Sequence, residues 1–137
     1  MSLYAVAIFL GAFLLFQVEP ILAKLIHPWF GGSAAVWTIC LVFFQMGLLA
    51  GYLYAHWSAS ALGPRTQSLL HLTLLGLSLL SLPVIPSPGW KPAGGEDPSL
   101  RIIGLLAATA GLPYFLLATT SPLIQAWRWR RHVQSIP

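Results

Sequence analysis

Charged residues are scarce in this chain of 137 residues: three are acidic and seven are basic, which together make up 7% of the sequence. Soluble domains carry about 25% charged residues, so the shortage excludes an ordinary cytosolic domain, a disordered tail and a nucleic-acid-binding module. Cysteine occurs once, at Cys40, which excludes a disulfide scaffold and a cysteine-rich metal site. The four histidines are scattered without metal-pair spacing. We therefore expect no metal and no cofactor.

Apolar residues are abundant, at 57% of the chain, and they fall into four stretches. Each stretch approaches or exceeds the roughly 20 residues that a helix needs to cross a bilayer. None alternates with period two, which favours helices. The sequence predicts an all-α polytopic protein with four transmembrane helices in a single membrane domain, residues 1–137. The predicted helices cover approximately residues 3–26, 34–57, 67–85 and 100–128, with an extramembrane loop at 87–99.

The basic residues predict the orientation of these helices. Four crossings place Arg65, Arg128, Arg130 and Arg131 on the same side as both termini, and Lys24, Lys91 and Arg101 on the other side. Cytoplasmic loops of membrane proteins are richer in lysine and arginine. We therefore expect a multi-pass protein of a bacterial inner membrane with both termini in the cytoplasm.

Four polar residues within the predicted spans form a candidate intramembrane site: Gln17, Glu19, Lys24 and Gln45. An ionisable group at membrane depth is costly unless it is paired or hydrated, so Glu19 is the first candidate for function. Pro20 frees a backbone carbonyl beside that carboxylate. This carbonyl and the carboxylate of Glu19 could together bind a cation or relay a proton. Alternatively, Glu19 pairs with Lys24 or with a polar group of the second helix.

Small residues spaced four apart predict close helix packing. The residues of this kind are Gly47, Gly51 and Ala55 in the second helix, and two pairs in the fourth, Gly104 with Ala108 and Ala107 with Gly111. On another face of the second helix, Thr38, Gln45 and Tyr52 recur every seven residues as a polar stripe.

A histidine and an aromatic-basic run are two further candidates for function. His71 is a candidate ligand of a pigment or haem, although a lone membrane histidine is more often a packing residue. The run Trp127, Arg128, Trp129, Arg130 and Arg131 predicts an interfacial anchor, because indoles prefer the headgroup level and arginines reach anionic lipid.

Two blocks of the sequence resemble the membrane region of spermidine synthase-like (fused major facilitator/spermidine synthase) membrane proteins. They are FLLFQVEPILAKLIHPWFGGSAAVWTICLVFFQMGLLAGYLYAH, residues 13–56, and GLPYFLLATTSPLIQAW, residues 111–127. The resemblance implies part of a major-facilitator-like membrane domain, which in the family is joined to an aminopropyltransferase-like domain. We find no such catalytic domain in these 137 residues and expect no enzymatic activity.

The leading hypothesis is a non-enzymatic membrane module, a structural or accessory subunit that contacts lipid and packs against other membrane subunits or its own copies. One alternative is a transporter element that acts as an oligomer. Another is a small subunit of an energy-transducing complex that contacts a pigment or haem through His71. We expect no nucleic-acid partner.

Overall fold

A computed structural model describes residues 2–135, and this part of the chain is helical without strands. The all-α prediction is therefore confirmed. Met1, Ile136 and Pro137, which belong to the predicted 1–137 domain, lie outside the described residues. The helices are α1 (Ser2–Ile26), α2 (Ala34–Ala61), α3 (Pro64–Leu79), α4 (Pro98–Leu106) and α5 (Leu112–Gln134).

Within residues 2–135, three helical segments are long and apolar enough to cross a membrane: Leu3–Phe30, Ala34–Ala61 and Pro98–Gln134. The third of these contains α4, a π-helical turn at Ala107–Gly111, and α5. Pro113 is the second residue after this π turn, and its missing N–H leaves the carbonyl of Thr109 without its usual donor. The chain is thus compatible with a helical membrane protein.

The third predicted span has different bounds in the structure. Helix α3 covers 16 residues, Pro64–Leu79, where the sequence predicted residues 67–85. Pro64 lies in the first turn, where the absence of an N–H costs nothing, and Pro83 disfavours helical backbone in the residue before it. At 1.5 Å per residue α3 is about 24 Å long, shorter than the roughly 30 Å of bilayer hydrocarbon.

The chain runs back and forth between two ends of a bundle. At one end, Nη1 of Arg131 donates to the hydroxyl of Tyr4 at 3.1 Å, which joins the last turns of α5 to the first turn of α1. A buried side chain of α3, Gln67, also bonds to α5 there. We call this the arginine end, and it includes Tyr4, Arg65, Arg128, Arg130 and Arg131.

The opposite end, which we call the loop end, contains residues 27–33 and 87–97. There Nζ of Lys91 lies 5.2 Å from the ring centroid of Trp29. Arg101 pairs with Glu96 at 2.7 Å and also donates to the carbonyls of residues 89, 90 and 91. Asp97 accepts a hydrogen bond from the Ser99 N–H at 2.9 Å, so it caps α4. These contacts attach the linker to the ends of the long helices.

Helix α5 occupies the centre of the bundle, because it packs against α1, α2 and α3. The core is apolar and is drawn mainly from α1, α2, α4 and α5. Its buried members are Leu15, Leu22, Ala23, Ile26, Val36, Cys40, Phe44, Ile102, Leu105, Leu106, Ala110, Tyr114 and Ala118.

The small residues of α2 lie against α5. A Cβ on Gly51 would lie 2.6 Å from Cβ of Ala118, and one on Gly47 would lie 3.1 Å from the ring of Tyr114. Ala55, one turn further along, is buried. The absence of side chains at Gly47 and Gly51 therefore allows the close approach of the two helices.

The second set of small residues has other surroundings. Gly104 lies beneath the indole of Trp90, whose nearest atom would be 3.2 Å from an added Cβ. Ala108 is exposed, and Gly111 is half-buried with no neighbour closer than Ala107 of its own helix. Because the linker fills the space beside Gly104, this position packs against a loop and not against another helix.

We expect Gly51→Ala to lower the free energy of unfolding by about 1–3 kcal/mol, the usual range for overpacking. The added methyl group meets Ala118 and the backbone oxygen of Phe115, which cannot both move aside. Thermal unfolding of the purified protein in mild detergent measures the change.

Gly76→Ala is the matched control, because an added Cβ there has no heavy atom within 4 Å. It should be neutral or stabilise α3 by up to about 1 kcal/mol. Equal stability of the two variants would contradict the close α2–α5 contact.

Candidate functional site

The structure does not bring the four predicted intramembrane polar residues into one site. Gln17, Lys24 and Gln45 are exposed, and Glu19 is half-buried. Within residues 2–135 no hydrogen bond or ion pair joins any two of them, and the ion pair of this region is Arg101–Glu96. The alternative pairing of Glu19 with Lys24 is thus not formed.

Glu19 lies on the packed face of α1. It is four residues from Leu15 and four from Ala23, both of which are buried in the core, and residues at that spacing share one face of a helix. Lys24 is five residues from Glu19 and is exposed. The carboxylate therefore borders the core, whereas the ammonium group points away from it.

The polar stripe of α2 faces outwards. Thr38, Gln45 and Tyr52 are all exposed, whereas Gly51 and Ala55 on another face are buried. Thr38 is satisfied locally, because its hydroxyl donates to the carbonyl of Ala34 at 3.0 Å. The amide of Gln45 has no hydrogen-bond partner among the described residues. It can therefore bind a group outside this part of the chain.

The most connected polar cluster lies at the arginine end and is centred on Gln67, which is fully buried. Nε2 of Gln67 donates to the hydroxyl of Ser58 at 3.2 Å. Its Oε1 accepts from Nε1 of Trp127 at 3.1 Å and from Nη1 of Arg130 at 3.0 Å. Nη2 of Arg130 also donates to the carbonyl of Ala59. We call these residues the Gln67 clamp: Ser58, Gln67, Trp127 and Arg130.

The Gln67 clamp connects three helices, because Ser58 belongs to α2, Gln67 to α3, and Trp127 and Arg130 to α5. Helix α3 packs against α5 and α2 over few residues. Buried polar groups are costly when unpaired and rigidify a structure when satisfied. The chemistry of this cluster is therefore structural: it fastens α3 to the bundle.

The clamp divides the predicted interfacial anchor into two groups. Trp127 and Arg130 are half-buried and bonded inwards, whereas Arg128, Trp129 and Arg131 are exposed. Residues 127 and 130 are three apart and share a helix face, which lets both reach Gln67. The sequence interpretation treated all five as lipid contacts and missed Gln67 and Ser58.

His71 is buried at 6% exposure, one helical turn after Gln67. Its ring lies between those of Tyr54, with centroids 6.4 Å apart, and Trp127, at 6.2 Å. Neither Nδ1 of His71 nor the Tyr54 hydroxyl has a hydrogen-bond partner within the described region. The imidazole also lines an apolar cavity of about 410 Å³ between α3 and α5.

This cavity contains one strong potential ligand, the imidazole. No group of three or more histidine, cysteine or acidic side chains able to hold a metal occurs in residues 2–135. The assignment of His71 to a pigment or haem stays a prediction.

Comparison with known proteins gave no match: no family model, no curated protein and no solved structure matches the chain.

We expect Gln67→Leu to lower the free energy of unfolding by about 1–3 kcal/mol, since leucine fills the space but leaves Ser58, Trp127 and Arg130 without their shared partner. Thermal unfolding in detergent and the rate of tryptic cleavage after Arg65, at the start of α3, would both report the loss.

Gln125→Leu is the control, because it makes the same chemical change at an exposed position of α5. If the two variants were equally stable and equally resistant to trypsin, the clamp would not hold α3.

Proposed function

We propose that the chain is a non-enzymatic membrane module that packs against other membrane helices, either copies of itself or other subunits. The observation that carries the proposal is the pair of exposed amides, Gln17 on α1 and Gln45 on α2, each near the middle of a helix able to span. Lipid offers these amides no hydrogen bond, and an unpaired amide in an apolar medium costs several kcal/mol. A partner helix with polar side chains would remove that cost.

The apolar surface supports a membrane location. Large side chains such as Phe9, Phe16 and Leu53 are more than half exposed. A surface of this kind favours lipid or protein contact over water. The exposed amides lie on the same helices as these apolar residues, so they would be the polar contact points within an otherwise lipid-compatible surface.

The proposal includes a fourth crossing, made by α3 together with the linker that follows it. Backbone groups at membrane depth must be satisfied internally. The segment Leu80–Pro86 meets this demand for most of its donors, because four of its seven residues donate their N–H to nearby carbonyls and two are prolines without an N–H. The four donors are Leu80, Ser81, Leu82 and Ile85.

The proximity of Tyr4 and Arg131 supports four crossings, because an even number of passes returns the chain to the end at which it started. The arginine end contains more basic groups, and at the loop end Arg101 is neutralised by Glu96. The rule that positive residues remain inside supports an arginine end in the cytoplasm of a bacterium.

The sequence resemblance gives this module a context. If the likeness of residues 13–56 and 111–127 reflects descent, the chain corresponds to the first helices of the membrane region of spermidine synthase-like proteins. Its partners would then be further membrane helices of that region. Transport by an oligomer, the first alternative, would need a partner to complete a site around Glu19, because the chain's other polar candidates are exposed.

The mass of the complex in mild detergent, measured by native mass spectrometry, tests the proposal. We expect the wild type to associate, and we expect Gln45→Leu to lower the association constant roughly threefold. That change corresponds to the ~0.6 kcal/mol of an average interhelical hydrogen bond in a membrane.

Met46→Leu is the control on the same helix, because Met46 is exposed and the change conserves its apolar character. A wild type that is strictly monomeric and without partners, or a Gln45→Leu protein that associates as well as this control, would contradict the proposal.

The four-crossing topology predicts the sidedness of three single cysteines, at Ser33, Ser87 and Ser135. An impermeant maleimide should label Ser33→Cys and Ser87→Cys from the periplasm, and Ser135→Cys from the cytoplasm. The native Cys40 is buried and provides an unreactive background. With three crossings, positions 33 and 87 would lie on opposite sides of the membrane. Labelling of Ser33→Cys and Ser87→Cys from opposite sides would therefore exclude the fourth crossing.

A further inference from the structure

The arginine end has two hollows that share Tyr4 and Arg131. The larger, of about 560 Å³, is also lined by Arg128, Trp129 and His132. The smaller, of about 400 Å³, lies on the side of Trp127 and Arg130. No acidic side chain among the described residues lines either one. Both hollows therefore offer cationic groups without the anions that would balance them.

The two arginines of the larger hollow are adjacent on one face of α5. Arg128 and Arg131 are three residues apart, which is a neighbouring position on a helix and repulsive for like charges. Neither forms an ion pair in the described part of the chain, and the ion pair that is present, Arg101–Glu96, lies at the loop end. A bound anion would relieve this repulsion.

Arg131 is already held in place for such a ligand. Its Nη1 donates to the Tyr4 hydroxyl at 3.1 Å, and a guanidinium has five N–H donors. Four donors are thus left for an anion. Arg130 differs, because one of its terminal nitrogens donates to Gln67 and the other to the carbonyl of Ala59.

We infer that the larger hollow binds the phosphate of an anionic membrane phospholipid. Arg128 and Arg131 contact the phosphate oxygens, Tyr4 positions Arg131, and the indole of Trp129 lies beside the glycerol region. Guanidinium groups match phosphate geometry with paired hydrogen bonds, and basic pockets beside transmembrane helices bind lipid headgroups. The location explains why the anion is a lipid: tryptophan prefers the headgroup level, where the apolar helices end.

This inference depends on the proposed membrane location but not on the proposed partner. It also separates two roles that adjacent residues could share: Arg130 stabilises the fold, whereas Arg128 and Arg131 bind the lipid.

The test is lipid titration of the purified protein in mild detergent, with the first bound lipid counted by native mass spectrometry. Phosphatidylglycerol should bind more tightly than phosphatidylcholine. We expect Arg128→Gln and Arg131→Gln each to weaken phosphatidylglycerol binding roughly fivefold, and the double variant about 30-fold, with a much smaller loss of thermal stability than Gln67→Leu causes. Binding of phosphatidylcholine should be the same in all variants.

Arg65→Gln is the control, because it removes one positive charge from the arginine end without lining either hollow. If it weakens phosphatidylglycerol binding as much as Arg131→Gln, the effect is diffuse charge and the site is wrong. Displacement of the lipid by millimolar inorganic phosphate would likewise overturn the assignment to a phospholipid. If the protein has no partner subunits, these lipid affinities should still be as expected. Failure of the proposed partner binding is thus distinguishable from failure of the lipid site.

Discussion

The contact between Gly51 and Ala118 sets the separation of α2 and α5, and the remaining elements are arranged around that pair. Apolar helices in lipid gain little from the hydrophobic effect when they associate, so close van der Waals packing supplies much of the attraction. The same rule operates between α1 and α5, where an added Cβ on Gly11 would lie 3.3 Å from Thr120. Helix α5 therefore packs closely against both α1 and α2, because each presents a glycine to it.

The two ends of the bundle are closed by different chemistry. At the loop end Arg101 donates hydrogen bonds to carbonyl oxygens of the linker and to the carboxylate of Glu96. At the arginine end the acceptor is a neutral amide, and the donors come from α5. The first arrangement balances charge internally. The second engages Arg130 but leaves the neighbouring arginines available to ligands.

The helical class and the three long helices followed from the sequence, because lipid-compatible helices require long apolar runs and little else. The contact face of α2 was visible for the same reason, since glycine at four-residue spacing is a local pattern. The end of α3 was missed. Residues 80–85 are mostly apolar, so composition extended the predicted span through them, but Pro83 disfavours helical backbone before it and the helix ends at Leu79. The Gln67 clamp had no local pattern, because its partners on α5 are 60 and 63 positions away in the chain.

That separation has a consequence for the order in which the protein is made. Ribosomes add about 5–20 residues per second, so Trp127 and Arg130 emerge some 3–12 s after Gln67. During this interval the α2–α3 hairpin carries an amide whose oxygen lacks its final donors, and α3 alone is short for a membrane. In the proposed four-crossing arrangement, stable entry of α3 into the bilayer would therefore await the synthesis of α5, and the bundle would be completed from its last helix backwards.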